Sequence, residues 1–223
     1  MLSEGWFSTQ LERLYLGGHM RLKAPCQGID FHTTDIYGNP FKLSDHLGKR
    51  IMLSFFRDAA CPFCHYRVYE LTHNYPLWKE QNLEIIAVFS DTPEQVRRYV
   101  ANHPRPFTML ADPDLDIYNH YGIEHSSSAL FKAMLFKMPR IIKGILKGGR
   151  PSNNPHVRLV PADFLFTEDG RISQVWYGRD TADHIPIPHI QAFIREGDAK
   201  NAVRYGVQQR RAAFSTRGKT VGT

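Results

Sequence analysis

Ser54-Phe55-Phe56-Arg57-Asp58-Ala59-Ala60-Cys61-Pro62-Phe63-Cys64 continues the apolar run that begins at Ile51 and ends at Phe56. A short polar turn then leads into two cysteines three residues apart, which reads as a strand feeding a helix. With Cys61 at the N-cap and Pro62 at the first helical position, where its missing N–H costs nothing, both sulfurs fall in the first turn. The positive end of the helix dipole favours thiolate at Cys61. A thiolate attacks a disulfide or a peroxide, and Cys64 can resolve the adduct by closing a local bridge. The stretch therefore points to redox chemistry.

Two other readings compete. Zinc also uses C-x-x-C, but a tetrahedral site wants four ligands, and the only other cysteine, Cys26, stands far upstream with no second pair beside it. Two buried, inert cysteines are common in general; the strand-turn-helix setting weighs against that here. The expectation is no metal and no cofactor.

Working outward, 223 residues with 42% hydrophobic content are enough to bury a sizeable core, which excludes a disordered chain. The net charge of +6 favours acidic surfaces weakly, and no aromatic-interleaved basic module reads nucleic acid. Three cysteines cannot form a structural disulfide framework, which fits a reducing compartment. With no signal-like or bilayer-length apolar run, the expected location is cytoplasmic.

Trp6, Phe7, Leu11 and Leu14 predict an amphipathic extension over residues 1–23. From Asp30 to Leu47 a hairpin is expected, turning at Gly38-Asn39, with a helical turn over 44–48. Strand 50–56 precedes the cysteines, and the helix beyond runs to about Glu80 with Val68, Leu71, Tyr75 and Trp78 facing a core; Pro76 is expected to kink or end it. Leu83 to Phe89 reads as a strand buried on both faces. A helix over 93–103, a strand over 107–110 and a helix capped by Asp112-Pro113-Asp114 and stopped at Gly122 follow. Residues 125–157 interrupt the pattern with six basic residues (Lys132, Lys137, Arg140, Lys143, Lys147, Arg150) and no acid. They read as an insertion carrying a basic amphipathic helix broken at Pro139. Such a segment lies on an anionic membrane, covers a substrate groove, or packs its apolar face on its own domain; the last reading is preferred, so membrane contact is expected to be weak. Strands over 159–166 and 171–177 and a helix over 188–195 close a domain spanning 24–196, and the basic tail 197–223 is expected to be mobile.

This order resembles the thioredoxin fold, and within it the peroxiredoxin-like (alkyl hydroperoxide reductase/thiol-specific antioxidant) family, over roughly residues 24–195. The likeness rests on the C-x-x-C helix, on Val88-Phe89-Ser90-Asp91-Thr92-Pro93-Glu94 with Phe107-Thr108-Met109-Leu110-Ala111-Asp112-Pro113, and on Val160-Pro161-Ala162-Asp163-Phe164-Leu165. It implies an α/β thioredoxin-like sandwich: a mixed central sheet flanked by helices, with a helical insertion before the strand that follows a cis-proline. By the same resemblance Pro161 is the cis-proline facing the cysteines, leaving the Val160 backbone free to pair with a disulfide substrate.

The departures are informative. Peroxiredoxins place a proline seven residues and a threonine or serine three residues before the reactive cysteine, where this chain has Ser54 and Asp58, and an arginine where it has Pro161. Those groups polarise the peroxide bond, so their replacement weighs against fast peroxide reduction. Arg57 or Arg158 is a candidate substitute cation, though either also reads as a solvated charge. Asp58 reads equally as a proton acceptor for the resolving cysteine or as an acceptor for turn amides. His65 is placed as a helix-surface bystander, and His73 has less claim still.

The expected function is thiol-disulfide exchange, with Cys61 as nucleophile, Cys64 as resolver, and Pro161, Arg57 and Asp58 around them. A thioredoxin- or glutathione-type system would supply electrons. The alternatives are a thiol peroxidase using the same pair and a non-catalytic thioredoxin-fold binding module. Cys61 is expected to face a cleft.

Overall fold

The computed structural model describes residues 21–100, 105–123, 138–147, 155–156 and 158–199. The expected N-terminal amphipathic helix, the tail beyond 199, residues 101–103 of the helix expected over 93–103 and most of the insertion lie outside them. Two units make up the chain, Met1–Ile185 and Pro186–Thr223. The second contains helix 187–199, in which Ile190, Phe193 and Ile194 are buried.

In the first unit the elements follow the expected order. They are β1 (Cys26–Gln27), β2 (His32–Thr34), β3 (Pro40–Lys42), a 3-10 turn (Leu43–His46), β4 (Arg50–Phe56), α1 (Pro62–Glu80), β5 (Leu83–Phe89), α2 (Pro93–Tyr99), β6 (Thr108–Ala111), α3 (Asp116–His120), α4 (Met138–Leu146), β7 (Ala162–Phe166) and β8 (Arg171–Tyr177). The sheet order is β1-β8-β7-β4-β5-β6, with β4, β5 and β6 parallel and the β4–β7, β7–β8 and β8–β1 pairs antiparallel. A separate hairpin, β2–β3, turns through Gly38 at φ 90°.

All seven residues of β4 are buried, as a central strand covered on both faces requires. Side chains alternate across the sheet. Ile51, Leu53 and Phe55 join Ile86, Val88, Tyr118, Tyr121 and Phe164 in one layer. Met52, Ser54 and Phe56 turn to the other face, where Phe56 stacks on Phe89 at 4.8 Å between ring centres. That face carries α1, with Val68, Leu71, Tyr75 and Trp78 buried. The helix runs on through Pro76 to Glu80 rather than stopping there. Proline forfeits one hydrogen bond to the preceding turn, a loss the burial of Tyr75 and Trp78 on either side outweighs.

Asp112 caps α3 from outside the helix, because Leu115 takes a left-handed conformation (φ 62°) that folds the chain back toward it. Its carboxylate accepts the N–H groups of Asp116, Ile117 and Tyr118 at 3.1, 2.8 and 3.1 Å. Asp112→Ala leaves these donors without that acceptor and is expected to cost about 1–2 kcal/mol, read by chemical denaturation. Gly122, at φ 65°, ends the helical segment as expected.

Two expectations change. The cis X-Pro bond among the described residues is Ala24–Pro25; Val160–Pro161 is trans. Pro161 continues the extended backbone of β7, its carbonyl accepting from Gly178 N at 2.9 Å one step beyond the Ala162–Tyr177 pair, and a strand start requires no donor of proline. In α4, Ile142, Ile145 and Leu146 are exposed, so these three apolar side chains are not committed to the domain. Pro139 lies in the first turn of this helix, where its absent N–H costs nothing.

Candidate active site

Cys61 is the N-cap of α1, in extended conformation (φ −60°, ψ 129°) with Pro62 following it. Arg57, four residues back at the exit of β4, donates from Nη2 to Cys61 Sγ at 2.6 Å. Cys64, one turn into the helix, hydrogen-bonds to the same sulfur through its thiol. All three cysteines are free thiols, with Cys26 apart on β1 opposite Ile172.

Burial works against a charge on Cys61. The Cys64 thiol, the Arg57 guanidinium and the Cys64 backbone N–H together outweigh it and bring the Cys61 pKa down to about 6. Cys64 moves the opposite way: burial, the hydrogen bond it gives to Cys61 and the charge on Cys61 push its thiol well above the ordinary value. Arg57 is itself buried, which disfavours its charge, but the two sulfurs and Asp58 more than compensate and hold it protonated. The site is thus one thiolate, one thiol and one guanidinium at the start of a helix.

Cys61 is fully buried and Cys64 1% exposed, which overturns the expectation of a sulfur facing an open cleft. Helix geometry fixes how a first-turn sulfur points relative to its own helix, but not what the neighbouring loop lays over it. Here the turn 57–60 is itself buried and tied to the loop after β5. Asp91 Oδ2 accepts from Ala59 N at 2.6 Å, and Ser90 Oγ donates to Arg57 O. Tyr118 Oη donates to Phe56 O, 2.5 Å away, with Val88 O also in reach at 3.0 Å. Ser90, Asp91 and Tyr118 were not singled out from sequence. A signal existed for the first two: β4 and β5 are parallel with Phe56 opposite Phe89, so the residues following both strands meet at their carboxyl ends, where open α/β sheets gather ligands.

Asp58 fulfils one expectation without excluding the other. Its Oδ1 accepts from Ala60 N at 2.7 Å, while Oδ2 is buried without a hydrogen-bond partner among the described residues. Burial raises its pKa against the pull of the Ala60 N–H and the Arg57 charge. His65 is buried rather than on the surface, its Nε2 2.7 Å from Ala59 O and its Nδ1 3.2 Å from Lys147 O. Burial lowers its pKa, so the neutral ring donates from Nε2 into the cysteine turn. Arg158 is exposed, as is His73, whose ring lies 6.2 Å from that of Tyr69.

Ser54, standing where peroxiredoxins carry a proline, donates to Asp163 Oδ1 at 2.5 Å. Asp163 is wholly buried and also accepts from Ile185 N at 2.7 Å, with His184 Nδ1 3.1 Å from Oδ2. Burial would raise the Asp163 pKa, but His184, Arg67 and Ser54 overcome it and keep the carboxylate ionised. Arg67, one turn beyond Cys64, donates to Ile185 O at 2.8 Å. The network thereby fastens the cysteine helix to the strand that follows Pro161. No sequence spacing marks it, since its members are spread along the chain from Ser54 to Ile185.

Residues 24–175 match the model of the AhpC/TSA family. The chain is 33% identical over 98 residues to the thiol-disulfide oxidoreductase ResA of Halalkalibacterium halodurans, covering 44% of this chain and 55% of that protein, little more than half its length. With peroxiredoxin Bcp of Escherichia coli it shares 26% identity over 163 residues, 73% of this chain and 90% of Bcp. Its fold is similar to that of peroxidoxin BcpB from Mycobacterium tuberculosis, with a TM-score of 0.57 at 14% identity over 80% of this chain and 98% of that one. The fold is therefore thioredoxin-like.

Proposed function

The chain belongs to the AhpC/TSA family, a group with peroxiredoxin-like and thiol-disulfide oxidoreductase members, and on that premise we propose that it exchanges disulfides through Cys61 and Cys64. The observation that carries this reading is the opposite tuning of two thiols one turn apart: Cys61 down to about 6, Cys64 up. The Cys61 thiolate attacks one sulfur of a substrate disulfide, forming a mixed disulfide and expelling the other sulfur as thiolate. With the Cys61 charge gone, Cys64 loses the main electrostatic reason for its raised pKa. It gives up its proton and attacks Cys61 Sγ, releasing the second substrate thiolate and closing Cys61–Cys64. One thioredoxin-type dithiol, or two glutathione-type monothiols that leave as their own disulfide, then reduce the Cys61–Cys64 bridge by two electrons. The proposed place of action is the cytoplasm.

Asp58 supplies the acceptor for the Cys64 proton. Its buried Oδ2 has no hydrogen-bond partner among the described residues, and its raised pKa brings it nearer to that task. Asp58→Asn is expected to leave the first attack intact and slow closure by about 100-fold or more, seen as accumulating mixed disulfide. Because the Asp58 charge raises the Cys61 pKa, the same variant should alkylate with a slightly lower midpoint.

One observation favours a second reading. Arg57 donates directly to Cys61 Sγ, where a guanidinium can also hold the oxygens of a peroxide. The thiolate would attack one oxygen of ROOH, giving sulfenic acid and, after protonation, ROH; Cys64 would then displace water to close the same bridge. Stopped-flow reaction of the reduced protein with a model disulfide, hydrogen peroxide and an organic hydroperoxide separates the two. The disulfide should react fastest; a faster peroxide would establish the peroxidase.

A further inference from the structure

Helix α4 is turned the wrong way round for a helix that serves only its own core. Ile142, Ile145 and Leu146 share one face, spaced i, i+3 and i+4, and are 55%, 53% and 78% exposed. Lys143 and Lys147, on the flank of that face, lay their ammonium groups over the rings of Tyr66 and Tyr69 of α1, at 5.7 and 3.8 Å from the ring centres. Lys143 and Lys147 thus hold the helix to the domain, while Ile142, Ile145 and Leu146 face outward. Tyr69, 41% exposed, extends the apolar surface onto α1.

The charge around this face narrows its occupant. Residues 125–157 carry six basic side chains and no acid, in a chain of net charge +6. A second copy docking by the same face would bring two such basic segments together, which symmetric pairing penalises. An apolar strip bordered by lysines matches a surface that is apolar beneath and anionic above. No helix of the described residues is long and apolar enough to cross a membrane, so this is contact with one leaflet.

We propose that α4 docks the protein on anionic lipid bilayers, with Ile142, Ile145 and Leu146 entering the interfacial zone and the positive charge of the segment 125–157 favouring anionic headgroups. The docked helix adjoins the cysteine turn: Lys147 O contacts His65 Nδ1, whose Nε2 donates to Ala59 O. Membrane contact therefore sets the redox turn beside the bilayer surface.

Co-sedimentation of the full chain with vesicles tests this, using pure phosphatidylcholine and phosphatidylcholine with one part in three phosphatidylglycerol. At low salt the protein should pellet with the anionic vesicles and stay in solution with the neutral ones. Leu146→Glu, and separately Ile142→Ser, should weaken binding by about tenfold with the Cys61 alkylation midpoint unchanged. Both positions are exposed, so the variants should keep the thermal transition of the parent. Failure to pellet with anionic vesicles, equal binding to both lipids, or variants that bind like the parent would overturn the proposal. So would a parent that is dimeric by light scattering without lipid and made monomeric by the same substitutions, which would assign the face to a second copy.

Discussion

Cys61→Ser should abolish turnover altogether, and Cys64→Ser should leave the first attack at close to its normal rate but trap its product. The asymmetry follows from the tuning of the pair. Only Cys61 carries a thiolate near neutral pH, because the Cys64 thiol and Arg57 both donate charge stabilisation to its sulfur. Cys64, pushed well up by burial and by Cys61, is a poor nucleophile until Cys61 is consumed. Serine at 64 has no sulfur with which to displace the bound substrate, so a stable mixed disulfide or sulfenic acid should remain on Cys61. Mass spectrometry of each variant after oxidation checks this. Cys26→Ser should behave as the parent, since that thiol sits on β1 and burial raises its pKa. Recovery of a Cys26 bridge in place of Cys61–Cys64 would overturn the scheme.

The second large effect is expected at Arg57. Alkylation of the parent should show a midpoint near pH 6 for Cys61, with reactivity lost as pH falls through that value and the sulfur protonates. Arg57→Met preserves most of the buried volume and removes the charge. The midpoint should rise by one to two pH units, since an adjacent cation typically lowers an acid by about that much. At pH 7 a pKa of about 6 leaves roughly nine-tenths of the sulfur ionised, whereas a value one to two units higher leaves about a half to a tenth, so alkylation should slow by about two- to tenfold. An unchanged midpoint would mean that the Cys64 hydrogen bond alone holds the thiolate. Because Arg57 is buried, the midpoint is the decisive readout rather than the rate, which a loosened turn would also alter.

The chain order was legible where a local pattern had to satisfy a single period. The mainly apolar run 51–56 reads as a strand feeding a helix, and Cys61-Pro62 marks the helix start to the residue. Asp112 was recognisable as a cap because its partners are four to six residues away. What the sequence did not disclose depends on contacts across the chain. The buried turn before Cys61 is tied down by Ser90 and Asp91 in the partner strand's loop, 33 and 32 residues beyond their partners Arg57 and Ala59. His65 reads as a surface residue on a helical wheel, yet it is covered from Ala59 on one side and Lys147 on the other. Amphipathicity revealed two faces of α4 without saying which one turns outward; the tyrosines on α1 decide that. The trans bond at Pro161 departs from the family resemblance, because that proline here serves as an ordinary start of β7.

The small hairpin bears on assembly. Ile36 N donates to Met109 O at 3.1 Å, and Asp35 bridges to Leu110, so the connection between β2 and β3 lies along the outer edge of β6. An uncovered edge strand invites pairing with a neighbour's strand and, at high concentration, aggregation. Here the polar groups at Met109 and Leu110 are already engaged by the molecule's own backbone, and Asp35 sets a carboxylate there. Sheet extension across β6 would first require peeling the hairpin away, so strand pairing through that edge is blocked in the native state.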